Sequence, residues 1–168
     1  SLLFRSPGFK LTHPFVQEAK RRNIPITSSP TYFLQHFPGI TVGVTGSNGK
    51  TTCTALIAEM LRSEFGKNRG EEGGNDRKPR LDILVTSPSP KYVVLELSSF
   101  QLIDCLVSPH VAVVLNVTPN HLDWHTNMKE YAEAKRQIVV HQKEGDIAVL
   151  NKNDPTVSEF ANGLKSNV

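Results

Sequence analysis

The sequence contains few cysteines and no long hydrophobic run. Cys53 and Cys105 are its only cysteines, and their spacing matches neither a metal site nor a disulfide framework, so a reducing cytoplasm is the default expectation. No apolar segment approaches the roughly 20 residues of a membrane-spanning helix, and the first residues show no signal-peptide pattern. These absences argue against a secreted, disulfide-stabilised or membrane-embedded protein.

A strong charge of one sign is also missing. The 19 lysines and arginines against 16 acidic residues give a formal charge of +3. This dispersed excess is too weak to indicate nucleic acid, but it suits small anionic substrates. With 168 residues, 38% of them hydrophobic, the chain can form one good core and part of a second module. We expect a monomer that binds neither nucleic acid nor membrane.

From Ile40 onward, apolar β-branched segments alternate with helical patterns. Alternation of this kind predicts an α/β fold of the phosphate-loop NTPase type, with a mostly parallel sheet and helices on both faces. The polar stretch 67–80 resembles neither a helix nor a strand, and residues 1–39 hold about one βα unit with a turn at Arg5–Gly8. The pattern predicts strands at 24–27, 40–45, 92–97, 111–117 and 146–151, and helices at 14–22, about 50–65, 127–142 (Asn127 as N-cap, Glu130 as its capping-box partner) and after Pro155.

The segment Gly43–Thr52, GVTGSNGKTT, is the strongest functional signal. It reads as a strand, a glycine-rich turn and a helix that begins near Lys50, which places backbone N–H groups and a lysine around a polyphosphate. Lys50 would reach the β- and γ-phosphates, and Thr51 would bind Mg²⁺. Position 44, where the general phosphate-loop pattern has its first glycine, is valine. The alternative is an ordinary turn. The candidate nucleotide-binding residues are Gly46, Ser47, Asn48, Gly49, Lys50, Thr51 and Thr52.

Glu96 interrupts an apolar strand near its carboxyl end, the edge at which open α/β sheets bind ligands. A carboxylate there is costly to bury unless it meets a cation, and Mg²⁺ beside a phosphate loop is the natural partner. The alternative is a structural ion pair at the strand end.

His121 and His125 follow the next strand. Their spacing lacks the H-E-x-x-H pattern and precedes the helix, so zinc is not expected. His121 is the candidate site residue because it lies closer to the strand end. We expect His125 to be solvated or to mark the helix entry, and Trp124 to serve packing.

Lys135 lies on the apolar stripe of the helix 127–142. It comes seven residues after Met128, so it faces inward with Tyr131 and Ile138 rather than toward solvent. It could extend past the edge of the core. It could instead reach the phosphate site, where its amine would have a shifted pKa.

Four motifs, taken together, resemble the Mur ligases, the ATP-dependent enzymes that build the peptide of peptidoglycan. They are TGSNGKTT (Thr45–Thr52), ELSSFQL (Glu96–Leu102), NVTPNHLDWH (Asn116–His125) and EYAEAK (Glu130–Lys135). The turn Ser6–Gly8 resembles the end of the family's UDP-binding domain. The resemblance implies catalytic roles for Lys50, His121 and Lys135, and substrate contacts at Gly8, Asn75 and Ser98. It also implies that Thr51, Glu96, His121 and a carbamylated Lys135 hold Mg²⁺ beside ATP.

Within the family, Ser-Ser-Phe-Gln after Glu96 is similar to the branch that adds D-glutamate to UDP-N-acetylmuramoyl-L-alanine. That resemblance implies an acyl-phosphate intermediate, a UDP-binding remnant at 1–39 and an incomplete ATP-binding domain at 40–168. We expect such a piece, by itself, to bind nucleotide weakly without turnover. Three alternatives stay open: another Mur or folylpolyglutamate-type ligase, an ATP-binding module without ligase activity, and a phosphotransferase on the same sheet.

Overall fold

The computed structural model describes residues 1–66, 70–73, 80–85, 91–120 and 123–168. Its first part is a small βα unit in which strands β1 (Leu3–Phe4) and β2 (Ile26–Thr27) pair in parallel. Helix α1 (Pro14–Arg21) connects these two strands, and helix α2 (Ser29–His36) follows them. The predicted turn is confirmed, since Phe9 N–H donates to the Ser6 carbonyl over 3.0 Å.

The main sheet has five parallel strands in the order β4-β5-β3-β6-β7. Its strands are β3 (Ile40–Thr45), β4 (Gly70–Gly73), β5 (Tyr92–Glu96), β6 (Val111–Val114) and β7 (Ile147–Leu150). The helices that accompany them are α3 (Lys50–Phe65), α4 (Arg80–Val85), α5 (Ser99–Leu102), α6 (Met128–Val140) and α7 (Pro155–Glu159). The predicted α/β class is confirmed.

Side chains from the central strands enter two separate hydrophobic clusters. Val93 and Leu95 of β5 pack with Ile138 of α6, whereas Val94 packs with Ala58 of α3. Alternate residues of a strand point to opposite faces, so the two clusters are the two covered faces of the sheet. This is why β5 and β6 read as continuous apolar runs in the sequence.

The order of strands fixes where a ligand would bind. The chain leaves central β3, builds β4 and β5 on one side, and then crosses to β6 and β7 on the other. The carboxyl end of β3 is therefore the topological switch point, where open α/β sheets bind their ligands.

Gly43 lies within β3 because of packing. A Cβ atom there would come within 2.6 Å of Pro109 Cγ and 3.2 Å of Ile138 Cδ1. The neighbouring Val44 is fully buried. Gly43, which lies one position before the expected first glycine of the phosphate loop, is therefore a packing residue of the strand rather than part of the turn.

The structure corrects several predictions of secondary structure. The polar stretch 67–80 contains β4, whose main chain pairs with β5 from Gly70 opposite Tyr92 to Gly73 opposite Leu95. Main-chain pairing at a sheet edge does not require apolar side chains, so the hydrophobic pattern missed it. Helices α2, α4 and α5 were not predicted either. Asn127 caps α6 as expected. Glu130, the predicted capping-box partner of Asn127, accepts from the Thr126 N–H over 2.5 Å.

Arg5 joins the first βα unit to the main sheet. Its guanidinium is buried and forms a two-pronged ion pair with Asp104, with Nε 2.7 Å from Oδ2. It also donates to the carbonyls of Phe9 at 2.8 Å and Phe100 at 3.0 Å. One side chain thus ties the turn after β1 to α5.

None of the helices in the described part of the chain has the length and apolar character of a membrane span.

We predict that Arg5→Met lowers the free energy of unfolding by about 3–5 kcal/mol, because it leaves the Asp104 carboxylate and the carbonyls that Arg5 contacts without their donor. The matched control is Arg22→Met, which removes an exposed ion pair with Glu18 and should change stability by less than about 1 kcal/mol. Urea unfolding measures both. Equal losses in the two variants would contradict the anchoring role of Arg5.

Candidate active site

The predicted phosphate loop forms the turn between β3 and α3. Thr45 ends the strand, Gly49 takes a left-handed φ of 82°, and Lys50 begins the helix. Gly49 provides no side-chain cap for the helix. The first N–H groups of α3 have no acceptor within the helix, and the helix dipole makes this end positive. The turn therefore presents the features that bind an anion.

Ser47 fixes the base of the loop. Its hydroxyl donates to the Thr118 carbonyl at 2.9 Å, accepts from Thr118 N–H at 2.9 Å, and lies 3.0 Å from the Tyr131 hydroxyl. The serine is buried. Ser47 is one of the residues predicted to bind phosphate. In the structure its side chain joins the loop to the segment after β6 and to α6.

Lys50 and Thr51 lie at the start of α3. Lys50 Nζ donates to the Ser47 carbonyl over 3.2 Å, so its ammonium lies over the loop. The Thr51 hydroxyl donates to Glu96 Oε2 over 2.9 Å. This hydrogen bond brings the start of α3 into contact with the carboxyl end of β5, as the sequence predicted.

Lys135 is buried, as its place on the apolar stripe predicts. Its side chain is 2% exposed, and Nζ donates to the Gly46 carbonyl over 2.8 Å. The Nζ atom also lies 4.6 Å from the centre of the Tyr131 ring. Burial, reinforced by the positive charge of Lys50, lowers the pKa of Lys135 to about 7. Near neutral pH a large fraction of this amine is uncharged and nucleophilic.

Tyr131 belongs to the candidate site, whereas the sequence predicted only its place in the core. It is buried against the lysine, and burial raises the pKa of its phenol, partly offset by the hydrogen bond with Ser47. Its spacing of four residues before Lys135 put both side chains on one face of α6. That spacing could have identified Tyr131 as a neighbour of the lysine.

We expected His125 to be solvated or to mark a helix entry; it lies at the entry of α6, two residues before the N-cap Asn127, but it is not solvated. The imidazole is buried, not solvated, with Nε2 2.9 Å from the Ser99 hydroxyl and Nδ1 3.7 Å from a Glu130 carboxylate oxygen. Its ring stacks with Phe100 at 5.6 Å between centroids. A histidine just before a helix reads as polar in sequence, but here aromatic packing and a serine hydroxyl compensate for its burial. Trp124 packs on Phe100 with 4.8 Å between centroids, consistent with its expected packing role.

The remaining candidates divide into two groups. Ser98 is the N-cap of α5 and donates its backbone N–H to the Gln101 side chain at 2.9 Å. Gly8 lies in the turn that Arg5 ties to α5, and open space surrounds the position of a Cβ atom there. His121 and Asn75 lie outside the described residues.

Known proteins are similar to this chain in sequence and in fold. Residues 44–168 match the Mur ligase middle domain. The chain belongs to the Mur ligase family. It is 46% identical over 170 residues to the UDP-N-acetylmuramoylalanine–D-glutamate ligase of Symbiobacterium thermophilum, covering 99% of this chain and 36% of that protein. The ligase of the same name from Bacillus pumilus is 40% identical, with 99% and 37% covered. The chain thus spans about a third of the length of these relatives.

Solved Mur ligase structures share the fold. A MurF ligase from Thermotoga maritima in complex with ADP superimposes with a TM-score of 0.64 at 26% identity, covering 99% of this chain and 45% of that one. The UDP-N-acetylmuramate:L-alanyl-γ-D-glutamyl-meso-diaminopimelate ligase from Neisseria meningitidis gives a TM-score of 0.66 at 16% identity, with 99% and 57% covered. The parallel sheet and its helices are therefore those of a Mur ligase.

The residues around the loop fit Mg²⁺, the ion that the resemblance to the Mur ligases implies. Thr51 and Glu96 bring a hydroxyl and a carboxylate oxygen to 2.9 Å from each other, and oxygen ligands of this kind suit Mg²⁺. Across the described ranges, no three or more His, Cys, Asp or Glu side chains lie close enough together to form a metal site.

Burial raises the pKa of the Cys53 thiol, so this cysteine is poorly suited to act as a nucleophile near the loop.

We predict that Lys135 makes stability rise with pH between about 7 and 10. Its pKa is lowered from 10.5 in the unfolded chain to about 7 in the fold, so in this window the unfolded state binds more protons. The slope should approach about 1.4 kcal/mol per pH unit. The measurement is urea unfolding at several pH values without nucleotide, magnesium or bicarbonate. Lys135→Met should flatten the curve in this window, and an unchanged slope in that variant would contradict the assignment.

Proposed function

We propose that the chain is the ATP-binding part of a ligase that joins D-glutamate to UDP-N-acetylmuramoyl-L-alanine. The names of the relatives described above support these substrates, and the geometry of the loop supports the use of a nucleotide. The observation that carries the proposal is the hydrogen bond from Lys135 to the Gly46 carbonyl, at the carboxyl edge of the sheet. The Thr51–Glu96 pair lies at the other end of the same loop.

ATP phosphates would lie at the start of α3. The amides of this first turn would donate to phosphate oxygens, and the Lys50 ammonium would move from the Ser47 carbonyl, 3.2 Å away, to an oxygen of the γ-phosphate. The ADP complex of the Thermotoga MurF supports a nucleotide site in this fold. Positive charge at this position favours the transition state, in which negative charge spreads over the transferred phosphoryl group.

Magnesium would be held by Thr51, Glu96 and His121, with Lys135 as a carbamate. When bound, the ion would neutralise charge on the phosphate oxygens and on the acceptor carboxylate. The carbamate forms when the neutral Lys135 amine adds to CO₂, making a C–N bond and releasing one proton. The lowered pKa of Lys135 supports this step, because only the neutral amine has the required lone pair.

The reaction would consist of two displacements. A carboxylate oxygen of the L-alanyl group attacks the γ-phosphorus, forming an acyl phosphate as ADP leaves. The D-glutamate amine then attacks the acyl carbon, a proton is lost from nitrogen, and inorganic phosphate leaves. The chain's own contribution is to hold two anions in line and to place cationic groups beside them.

Substrate contacts are proposed for Gly8, Ser98 and Asn75. The Arg5 anchor supports this for Gly8, because it holds the turn of Gly8 against α5, directly after Ser98. We also propose that residues 1–39 belong to a UDP-substrate domain and residues 40–168 to the ATP domain. Cys53 and Cys105 do not form a disulfide, which supports a cytoplasmic location.

Nucleotide binding is the first test of the proposal. Isothermal titration of the 168-residue chain with magnesium ADP should give measurable affinity, and Lys50→Met should weaken it at least tenfold because a phosphate loses its cation. Lys20→Met, which removes an exposed lysine from α1, is the control and should leave the affinity within twofold. The nucleotide site would be rejected if the unmodified chain did not bind, or if both variants bound equally well.

The chain spans about a third of the length of these relatives, so ligase activity is best tested in a full-length frame. We would therefore replace the matching segment of the Symbiobacterium thermophilum ligase with this chain and measure phosphate release. Release should depend on UDP-N-acetylmuramoyl-L-alanine and D-glutamate together. A chimaera that binds ADP but releases no phosphate would favour a binding module over a ligase.

In the same chimaera we predict that Lys135→Ala lowers kcat at least a hundredfold, because the carbamate cannot form. Added acetate or formate should restore part of the activity, since a short carboxylate fits the space of the missing one. Lys129→Ala, an exposed position of the same helix, is the control. Full activity of Lys135→Ala, or a loss that short carboxylates do not reverse, would count against the carbamate.

A further inference from the structure

Asn116 pairs with the phosphate loop through both ends of its side chain. Its Oδ1 accepts from Asn48 N–H over 2.9 Å, and its Nδ2 donates to the Asn48 carbonyl over 3.2 Å. The orientation of the carboxamide is unambiguous, because a backbone N–H can only donate and a carbonyl can only accept.

The contact continues the pairing of two strands beyond their ends. Strands β3 and β6 are in register up to Thr45 opposite Val114. After them Leu115 N–H donates to the Thr45 carbonyl and Ser47 N–H donates to the Asn116 carbonyl, both over 3.0 Å. The Asn116 carboxamide then acts as one more peptide group of the ladder, at a point where the main chains have already diverged.

This pairing controls the direction of the next amide. The Asn48–Gly49 peptide is planar and trans, so its N–H points opposite to its C=O. The Asn48 carbonyl is held on Asn116, and the Gly49 N–H must therefore point away from that side chain. The left-handed φ of 82° at Gly49 then leads the chain into α3.

We propose that Asn116 is a positioning residue for nucleotide phosphates, which orients the Gly49 amide as a donor to a phosphate oxygen. The inference rests on the proposed nucleotide site. Asparagine suits the task because it supplies one acceptor and one donor at a fixed separation. Aspartate keeps the acceptor but repels the Asn48 carbonyl, and leucine keeps the volume but supplies neither group.

The test uses the 168-residue chain with magnesium ADP and with inorganic pyrophosphate as probes. Asn116→Asp and Asn116→Leu should each weaken both probes at least tenfold. Asn151→Asp is the matched control, since Asn151 follows β7, is exposed, and donates to the Leu115 carbonyl over 2.8 Å without touching the loop. It should leave both affinities within twofold.

Two further readouts separate positioning from general stability. The thermal midpoints of the Asn116 variants should stay close to that of Asn151→Asp although their affinities fall. In nuclear magnetic resonance spectra, the Gly49 amide of the unmodified chain should shift when pyrophosphate is added, and the shift should disappear in Asn116→Leu.

Several results would overturn the inference. They are unchanged affinity in Asn116→Leu, a loss in Asn116→Asp alone (an effect of charge), and an affinity loss that merely follows a fall in the thermal midpoint. Absence of binding by the unmodified chain is a different failure, because it would reject the nucleotide site itself.

Discussion

The hydrogen bond between the Lys135 amine and the Gly46 carbonyl is the contact on which the candidate site depends. It joins the middle of α6 to the first residue of the phosphate loop over 2.8 Å, inside a region closed to solvent. An amine in such a place is costly to charge, and Lys50 nearby raises that cost. The fold thus lowers the pKa of one reactive amine by burying it, at the position where anions are expected to gather.

The parallel sheet makes this arrangement possible. Because all five strands run in the same direction, their carboxyl ends share one edge, and β3, β5 and β6 are neighbours there. The loop after β3, Glu96 of β5 and Asn116 after β6 therefore meet without long excursions of the chain. Helix α6 covers the sheet from one face and delivers Lys135 and Tyr131 from the side. The site is a product of the order of strands as much as of the individual residues.

Much of this could be predicted where the signal was local. The bounds of β3 and α3 follow from an apolar run, a glycine turn and the stop at Gly66, and the structure has them where expected. The inward direction of Lys135 followed from helical spacing alone. The pairing of β4 with β5 could not be predicted, because it is formed by main-chain groups that leave no side-chain pattern.

Long-range partners were equally hidden. Arg5 and Asp104 are 99 positions apart, and Asn48 and Asn116 are 68 apart. Periodicity carries no information over such distances. The burial of His125 depends on Phe100 and on Ser99, which lies 26 positions earlier in the chain.

The shortness of the phosphate loop has a consequence for the energetics of ligand capture. Strand β3 runs through Thr45, and the turn that follows has only four residues, 46–49, before α3 begins. A short turn has fewer conformations to lose, and a glycine-rich one would otherwise have many. Ordering this turn on an incoming anion should therefore cost little conformational entropy, so more of the contact energy is available as affinity.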